Sequence, residues 1–241
     1  MPTRVDEIAD GIFRISTSIP LPALPGGFTF NQILIRDAAP LLFHTGLRGH
    51  FEATRAAIER VLPVASLRYL AYSHFEADEC GAMNAFLAAA PGAVPLCSRV
   101  SAMVSMGDVA DRPPRALGDG EELDLGRHRI RWLDTPHVPH GWDAGLIWAP
   151  TARTLFCGDL FTQPGAELPP VTEGDILGPS EAMRGGMDYF ACRDKARTTL
   201  ARLADLQPRT LATMHGSSFR GDGAALLRAL AKALSAPADP P

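Results

Sequence analysis

Apolar and polar residues alternate along the first part of the chain, and the period then lengthens. Residues 11–16 alternate and predict a strand. Residues 28–36 predict another after the turn-rich stretch 22–27, with Ile33 and Ile35 on one face. Residues 41–44 follow the turn Ala38-Ala39-Pro40 and should pair with that strand as a hairpin. Residues 50–62 place Phe51, Thr54, Ala57, Ile58 and Val61 at helical spacing and stop before Pro63. A β-prone run at 67–72, a helix at 78–90 ended by Pro91-Gly92, a strand at 93–97 and a helix at 98–106 come next.

Residues 108–120 form a Pro- and Gly-containing loop. Segments 122–125 and 128–133 flank Gly126-Arg127, and segments 145–148 and 153–157 flank Ala149-Pro150-Thr151, which predicts two hairpins. Residues 163–184 show little periodicity and read as a long loop, a kind that is usually functional or mobile. An amphipathic helix at 192–206, a strand at 210–213, a helix at 223–234 and a frayed tail at 236–241 complete the chain. This order, with no repeat and no linker, suits an α/β architecture of two sheets covered by outer helices, in one domain over residues 1–241.

Composition narrows the function classes. The chain has 241 residues and is 46% hydrophobic, enough for a sizeable core. A net charge of −4 gives no reason to expect nucleic acid or an anionic membrane as partner. No run approaches the roughly 18 apolar residues of a membrane span, and the N-terminus, with Asp6 and Glu7, lacks the apolar stretch of a signal peptide. Cys80, Cys97, Cys157 and Cys192 form no CxxC pair, which fits reduced thiols and a cytoplasmic location.

The candidate chemistry begins at His74-Phe75-Glu76-Ala77-Asp78, where metal-ligand types recur at every second position. In extended backbone these side chains would leave on one face. His140, Asp159 and His215 follow at long spacing, each just after a predicted strand, where rim loops can gather sequence-distant groups. Three imidazoles and three carboxylates suffice for two metals. A set rich in oxygen and free of thiolate suits iron or manganese at least as well as zinc. His137 competes with His140, and Asp143 would orient a ligand histidine. Trp142, Phe161 and Phe219 read as core or lid residues.

The pattern resembles the metallo-β-lactamase superfamily, and within it the flavodiiron branch. Ser73-His74-Phe75-Glu76-Ala77-Asp78-Glu79-Cys80-Gly81 is similar to the flavodiiron His-x-Glu-x-Asp segment, whereas the zinc hydrolases carry His-x-His-x-Asp-His. Asn31 to Ile35, His140-Gly141-Trp142-Asp143, Gly158 to Gln163 and His215-Gly216 resemble further segments of that branch. The resemblance implies a four-layer αββα sandwich. It implies one iron held by His74, Glu76 and His140, a second held by Asp78 and His215, and Asp159 bridging them. Glu79 stands where the family often has histidine, which leaves its role and the second iron's shell open, and His44 takes a place that is commonly acidic.

These residues carry no flavodoxin-like segment, so stand-alone oxygen-binding diiron proteins are the nearer likeness. The function implied is binding, and reduction, of O2 or NO at two iron ions, by an oxidoreductase fed from a separate flavoprotein or rubredoxin-like donor, or by an O2 sensor. Zinc and manganese are the other metals such a set could hold. The alternatives are a binuclear zinc hydrolase, against which Glu76 counts, and a metal-stabilised interaction module. Flavodiiron proteins pair head to tail so that the flavin of one chain faces the iron of the other. Without a flavin domain, a homodimer is left open.

Overall fold

A computed structural model describes residues 3–22 and 24–235. The tail expected at 236–241 lies outside the described residues. One seven-stranded sheet contains β1 (Arg4–Ala9), β2 (Ile12–Leu21), β3 (Leu24–Ile35), β4 (Leu41–Phe43), β5 (Tyr69–Ala71), β6 (Val94–Ser98) and β7 (Arg115–Leu117), in that order. The second contains β8 (Glu122–Asp124), β9 (Arg129–Asp134), β10 (Gly145–Ala149), β11 (Thr154–Phe156), β12 (Val171–Thr172), β13 (Thr210–Ala212) and β14 (Ser218–Arg220), ordered β12-β14-β13-β11-β10-β9-β8. The helices are α1 (Phe51–Ile58), α2 (Ala77–Cys80), α3 (Met83–Ala89), α4 (Arg99–Ser101), α5 (Gly107–Val109), α6 (Leu177–Gly186), α7 (Arg193–Ala204) and α8 (Gly223–Ala233). None of them is long and apolar enough to cross a membrane.

Period-two alternation sorts each strand's side chains into three apolar layers. Ile33, Ile35, Leu41 and Phe43 from the first sheet meet Ile130, Trp132, Ile147 and Phe156 from the second in a central layer. Leu34, Leu42 and Leu70 point the other way, onto Ile58 of α1 and Phe86 of α3. Leu133, Leu146, Leu155 and Leu211 face Leu200 of α7 and Leu227 of α8. The result is the four-layer αββα sandwich. Helices α1 and α3 lie in the crossovers that make β4, β5 and β6 parallel, and those strands are apolar on both faces, as parallel strands covered on both sides are.

The hairpins expected from the sequence form, with Ile33 opposite Phe43 in one and Trp148 opposite Leu155 in another. The helix expected at 78–90 is instead interrupted between α2 and α3. There the N–H of Ala82 donates to the Gly46 carbonyl at 2.9 Å, so the neighbouring loop takes the donor that a continuous helix would use. Strand β3 begins at Leu24, inside the stretch expected to turn. Segment 163–184 holds β12 and the start of α6.

Within the first sheet, β4 and β5 run parallel. Within the second, β9, β11 and β13 share one direction, because β11 pairs parallel with β13 and β9 and β11 both pair antiparallel with β10. The loops leaving β5, β9, β11 and β13 carry His74, His140, Asp159 and His215.

Candidate metal centre

The loop after β5 is not extended throughout. Glu76 is extended, but it caps α2, and Asp78 already lies in the first turn of that helix. The three side chains converge by a bend followed by a helix start, not by strand alternation. His74, Glu76, His140 and Asp159 each offer one ligand atom within 4.8 Å of the others. Glu76 Oε1 is 3.1 Å from His140 Nε2 and 3.4 Å from His74 Nε2. Asp159 turns Oδ2 to the same pair, at 3.3 Å from His140 Nε2 and 3.6 Å from His74 Nε2.

Its other oxygen, Oδ1, faces His215 Nε2 at 3.3 Å, and Asp78 Oδ2 stands 3.5 Å from the same nitrogen. The six residues therefore form two groups that share one carboxylate. His137 is outside both groups; its backbone N–H donates to the Gly141 carbonyl.

The donor set fits metal ions. Ligand atoms about 2.1 Å from one metal lie about 3.0 Å apart across an octahedral edge and about 3.4 Å apart across a tetrahedral one. The separations above fall in or close to that range. His74 Nε2 and Asp159 Oδ1 are buried and have no hydrogen-bond partner, although charged groups surround them. A buried polar atom left in that state calls for an explanation, and a cation between the groups supplies it.

Each imidazole is aimed by a bond on its far nitrogen, as metal-binding histidines usually are. His140 Nδ1 donates to the Tyr189 carbonyl at 2.8 Å, and His215 Nδ1 to the Thr29 carbonyl at 2.8 Å. Asp143, expected to orient a histidine, instead accepts the backbone N–H of Phe75 at 3.1 Å, and so holds the segment between His74 and Glu76. His215 also stacks on Phe28, with ring centroids 4.4 Å apart, and meets Phe30 edge-on at 5.3 Å. Phe161 is core, whereas Trp142 is 58% exposed and is not.

The His140 loop comes close to His74. Gly141 has φ 75°, and a Cβ there would lie 2.9 Å from His74 Cβ. Gly141→Ala should therefore cost about 1–3 kcal/mol of stability and lift His140 from the cluster. Thermal melting and cobalt(II) titration check this, and unchanged metal binding would show that the close approach is dispensable.

The electrostatics favour divalent cations. Burial pulls the His74 ring down, but Glu79, Glu76 and Asp159 outweigh it and push it up to about 12. Burial also works against His140 and His215, which are raised nonetheless, chiefly by Glu76 and by Asp159 respectively. Hydrogen bonds from His140 and His74 bring Glu76 down to about 2, while burial lifts Asp78 to about 6. Burial would raise Asp159 too, but the three imidazoles hold it well below the usual carboxylate range.

Without metal, then, protons on the rings balance the carboxylates, and a binding ion must displace them. Metal affinity should rise with pH across neutrality, and binding should release protons. In the metal-free site Asp78 also takes up a proton below about 6, which adds to the loss of affinity on acidification. Calorimetric titration in buffers of different ionisation enthalpy reads the released protons, and an affinity independent of pH would contradict the assignment.

Comparison with known proteins adds a context. A family model described as ODP family beta lactamase matches residues 28–216. The rubredoxin-oxygen oxidoreductase of Megalodesulfovibrio gigas is 26% identical over 206 residues, 82% of this chain and 50% of that protein. The solved rubredoxin oxygen:oxidoreductase of Desulfovibrio gigas matches with a TM-score of 0.83 at 23% identity, over 96% of this chain and 62% of the other. The Flv1 flavodiiron core of Synechocystis sp. PCC6803 matches at 0.85 and 20% identity, over 97% of this chain and 60% of the other. At these identities the solved structures speak to the fold. The chain spans 35% and 50% of the length of the first curated relatives it matches.

Proposed function

The chain belongs to the ODP family of β-lactamase-like proteins, and on that premise we propose that it is a non-haem diiron protein that binds and reduces O2 or NO. The observation that carries the proposal is the carboxylate pattern. Glu76 stands beside His74 and His140, where a second imidazole would favour zinc, and Asp159 offers one oxygen to each group. A relative named for rubredoxin and oxygen, and a solved neighbour named as a flavodiiron core, support the same chemistry.

His74, Glu76 and His140 would hold one iron, Asp78 and His215 the other, and Asp159 both. Two ferrous ions held there would supply electrons and open positions for a diatomic ligand. The protein's own part is to fix the geometry. Tyr189 and Thr29 carbonyls aim two imidazoles, Asp143 pins the His74–Glu76 backbone, and Phe28 and Phe30 wall the His215 side with apolar surface. Electrons for turnover would come from a flavoprotein or rubredoxin-like donor.

Stopped-flow mixing of the reduced, iron-loaded protein with O2 tests the reading. Oxygen consumption sustained by an added donor marks a reductase, and a stable spectral change without turnover marks an O2 binder of the sensor kind. No reaction with O2 or with NO would overturn the proposal.

A further inference from the structure

Two buried side chains beneath the centre are not among the six candidate ligands. Glu79, on α2, is fully buried. Its Oε2 accepts the backbone N–H of His74 at 2.7 Å, and its Oε1 lies 3.2 Å from His74 Nδ1. The same Oε1 is 3.4 Å from Nε2 of His44, an imidazole that is 1% exposed.

His44 is held firmly. Its φ is 67°, its N–H donates to the Ala71 carbonyl at 2.7 Å, and its ring centroid lies 4.1 Å from that of Phe43. Thr45, next in the chain, ties the two segments together: its N–H donates to the Glu79 carbonyl at 2.6 Å and its hydroxyl to the same oxygen at 3.3 Å. Oε1 of Glu79 and both ring nitrogens of His44 have no aligned hydrogen-bond partner; Oε1 instead lies between two imidazoles, 3.2 Å from His74 Nδ1 and 3.4 Å from His44 Nε2.

We propose that Glu79 is a positioning residue for His74, and that His44 is the fixed donor that keeps the Glu79 carboxylate turned away from the metals. Glu79 grips His74 twice, at the backbone N–H and at the ring. A carboxylate facing Nδ1 selects the tautomer with its proton there, which leaves Nε2 bare toward Glu76, His140 and Asp159. Such outer partners set ring orientation and strengthen the imidazole as a ligand. His74 is the one ligand imidazole whose far nitrogen faces side chains; His140 and His215 face backbone carbonyls.

With no donor beyond the His74 backbone N–H, a carboxylate one residue from Asp78 would be drawn toward a nearby cation. The His44 ring, with Nε2 3.4 Å from Oε1, is the group placed to hold it from below. Ser73 Oγ, 3.1 Å from His74 Nδ1, is the other group within reach. A hydroxyl can donate or accept, so it does not choose the tautomer by itself.

The inference rests on His74 being a metal ligand, but not on O2 or NO chemistry, and cobalt(II) is the probe that separates the two. In Glu79→Ala the first cobalt ion should bind about 10–100-fold more weakly. The exchangeable, paramagnetically shifted Nδ1–H resonance of His74 should be lost, while those of His140 and His215 persist. The nearly isosteric Glu79→Gln should fold as the parent does and show a moved His74 resonance with intermediate affinity. His44→Gln, which keeps an N–H to offer, should stay near the parent, whereas His44→Leu should bind more weakly. Unchanged affinity and resonances in Glu79→Gln and Glu79→Ala would overturn the inference, as would the same losses from Ser73→Ala alone. A parent protein that binds no cobalt would overturn it together with the metal-site reading.

Discussion

Replacing Asp159 with alanine should strip both metals from the protein. Among the described residues no other side chain is shared by both groups. One oxygen faces His215 at 3.3 Å, and the other faces His140 and His74 at 3.3 and 3.6 Å. Two divalent ions about 3.5–4 Å apart, the usual spacing of two-metal sites, repel strongly inside a protein, and a shared anion offsets that repulsion most directly. Without it the second group keeps only Asp78 and His215, too few ligands to hold an ion against water.

The first group keeps His74, Glu76 and His140 but loses an oxygen. Removing an outer partner of a ligand costs about 10–100-fold in affinity, and the loss of a bridging ligand should exceed that. Metal content should fall from about two ions per chain toward none, and O2 consumption should fall with it. Asp159→Asn, which keeps one carbonyl oxygen, should retain the first ion alone. Metal analysis of the two variants decides the point, since a content that stays near two would remove Asp159 from the bridging role.

Glu76→His should move the site from iron toward zinc. Three ionised carboxylates against two ferrous ions leave a single positive charge, and the substitution leaves two. Each further positive charge disfavours the oxidised pair, and the added imidazole matches the set that zinc hydrolases use. The position tolerates the change, because the Glu76 side chain is 45% exposed, at the open side of the cluster. Expressed with both metals present, the variant should carry less iron and more zinc. It should react with O2 at least about tenfold more slowly, a change of about 1.4 kcal/mol in barrier, and should hydrolyse an activated ester. Unchanged iron occupancy would show that this carboxylate does not set the metal.

Much of the architecture was legible because alternation and helical spacing are local. The pairing of β3 with β4 and of β10 with β11 follows from short apolar runs on either side of a turn, and helices α1, α7 and α8 follow from runs that bury one face. What escaped was short or sparsely apolar. Strand β1 fully buries only Ile8, strands β7 and β14 have three residues each, and α6 carries Gly178, Pro179, Gly185 and Gly186. The break between α2 and α3 depends on a carbonyl from Gly46, a partner that no local pattern reveals.

The six candidate ligands stood out because each follows a strand and each is a metal-ligand type. The groups that aim them did not. Two are backbone carbonyls, of Thr29 and Tyr189, and a carbonyl leaves no mark on residue identity. Glu79 and His44 were visible as departures from a family pattern, but only the folded chain brings them to 3.4 Å of one another, beneath His74. Asp143 was expected to orient a ligand histidine, yet the N–H it holds belongs to Phe75.

The most direct measurement of the central claim is metal analysis of the protein isolated without oxygen, paired with its absorption spectrum before and after exposure to O2. The diiron account predicts about two irons per chain and a near-ultraviolet band that appears on oxidation. Two zincs per chain and a spectrum indifferent to oxidant would contradict it.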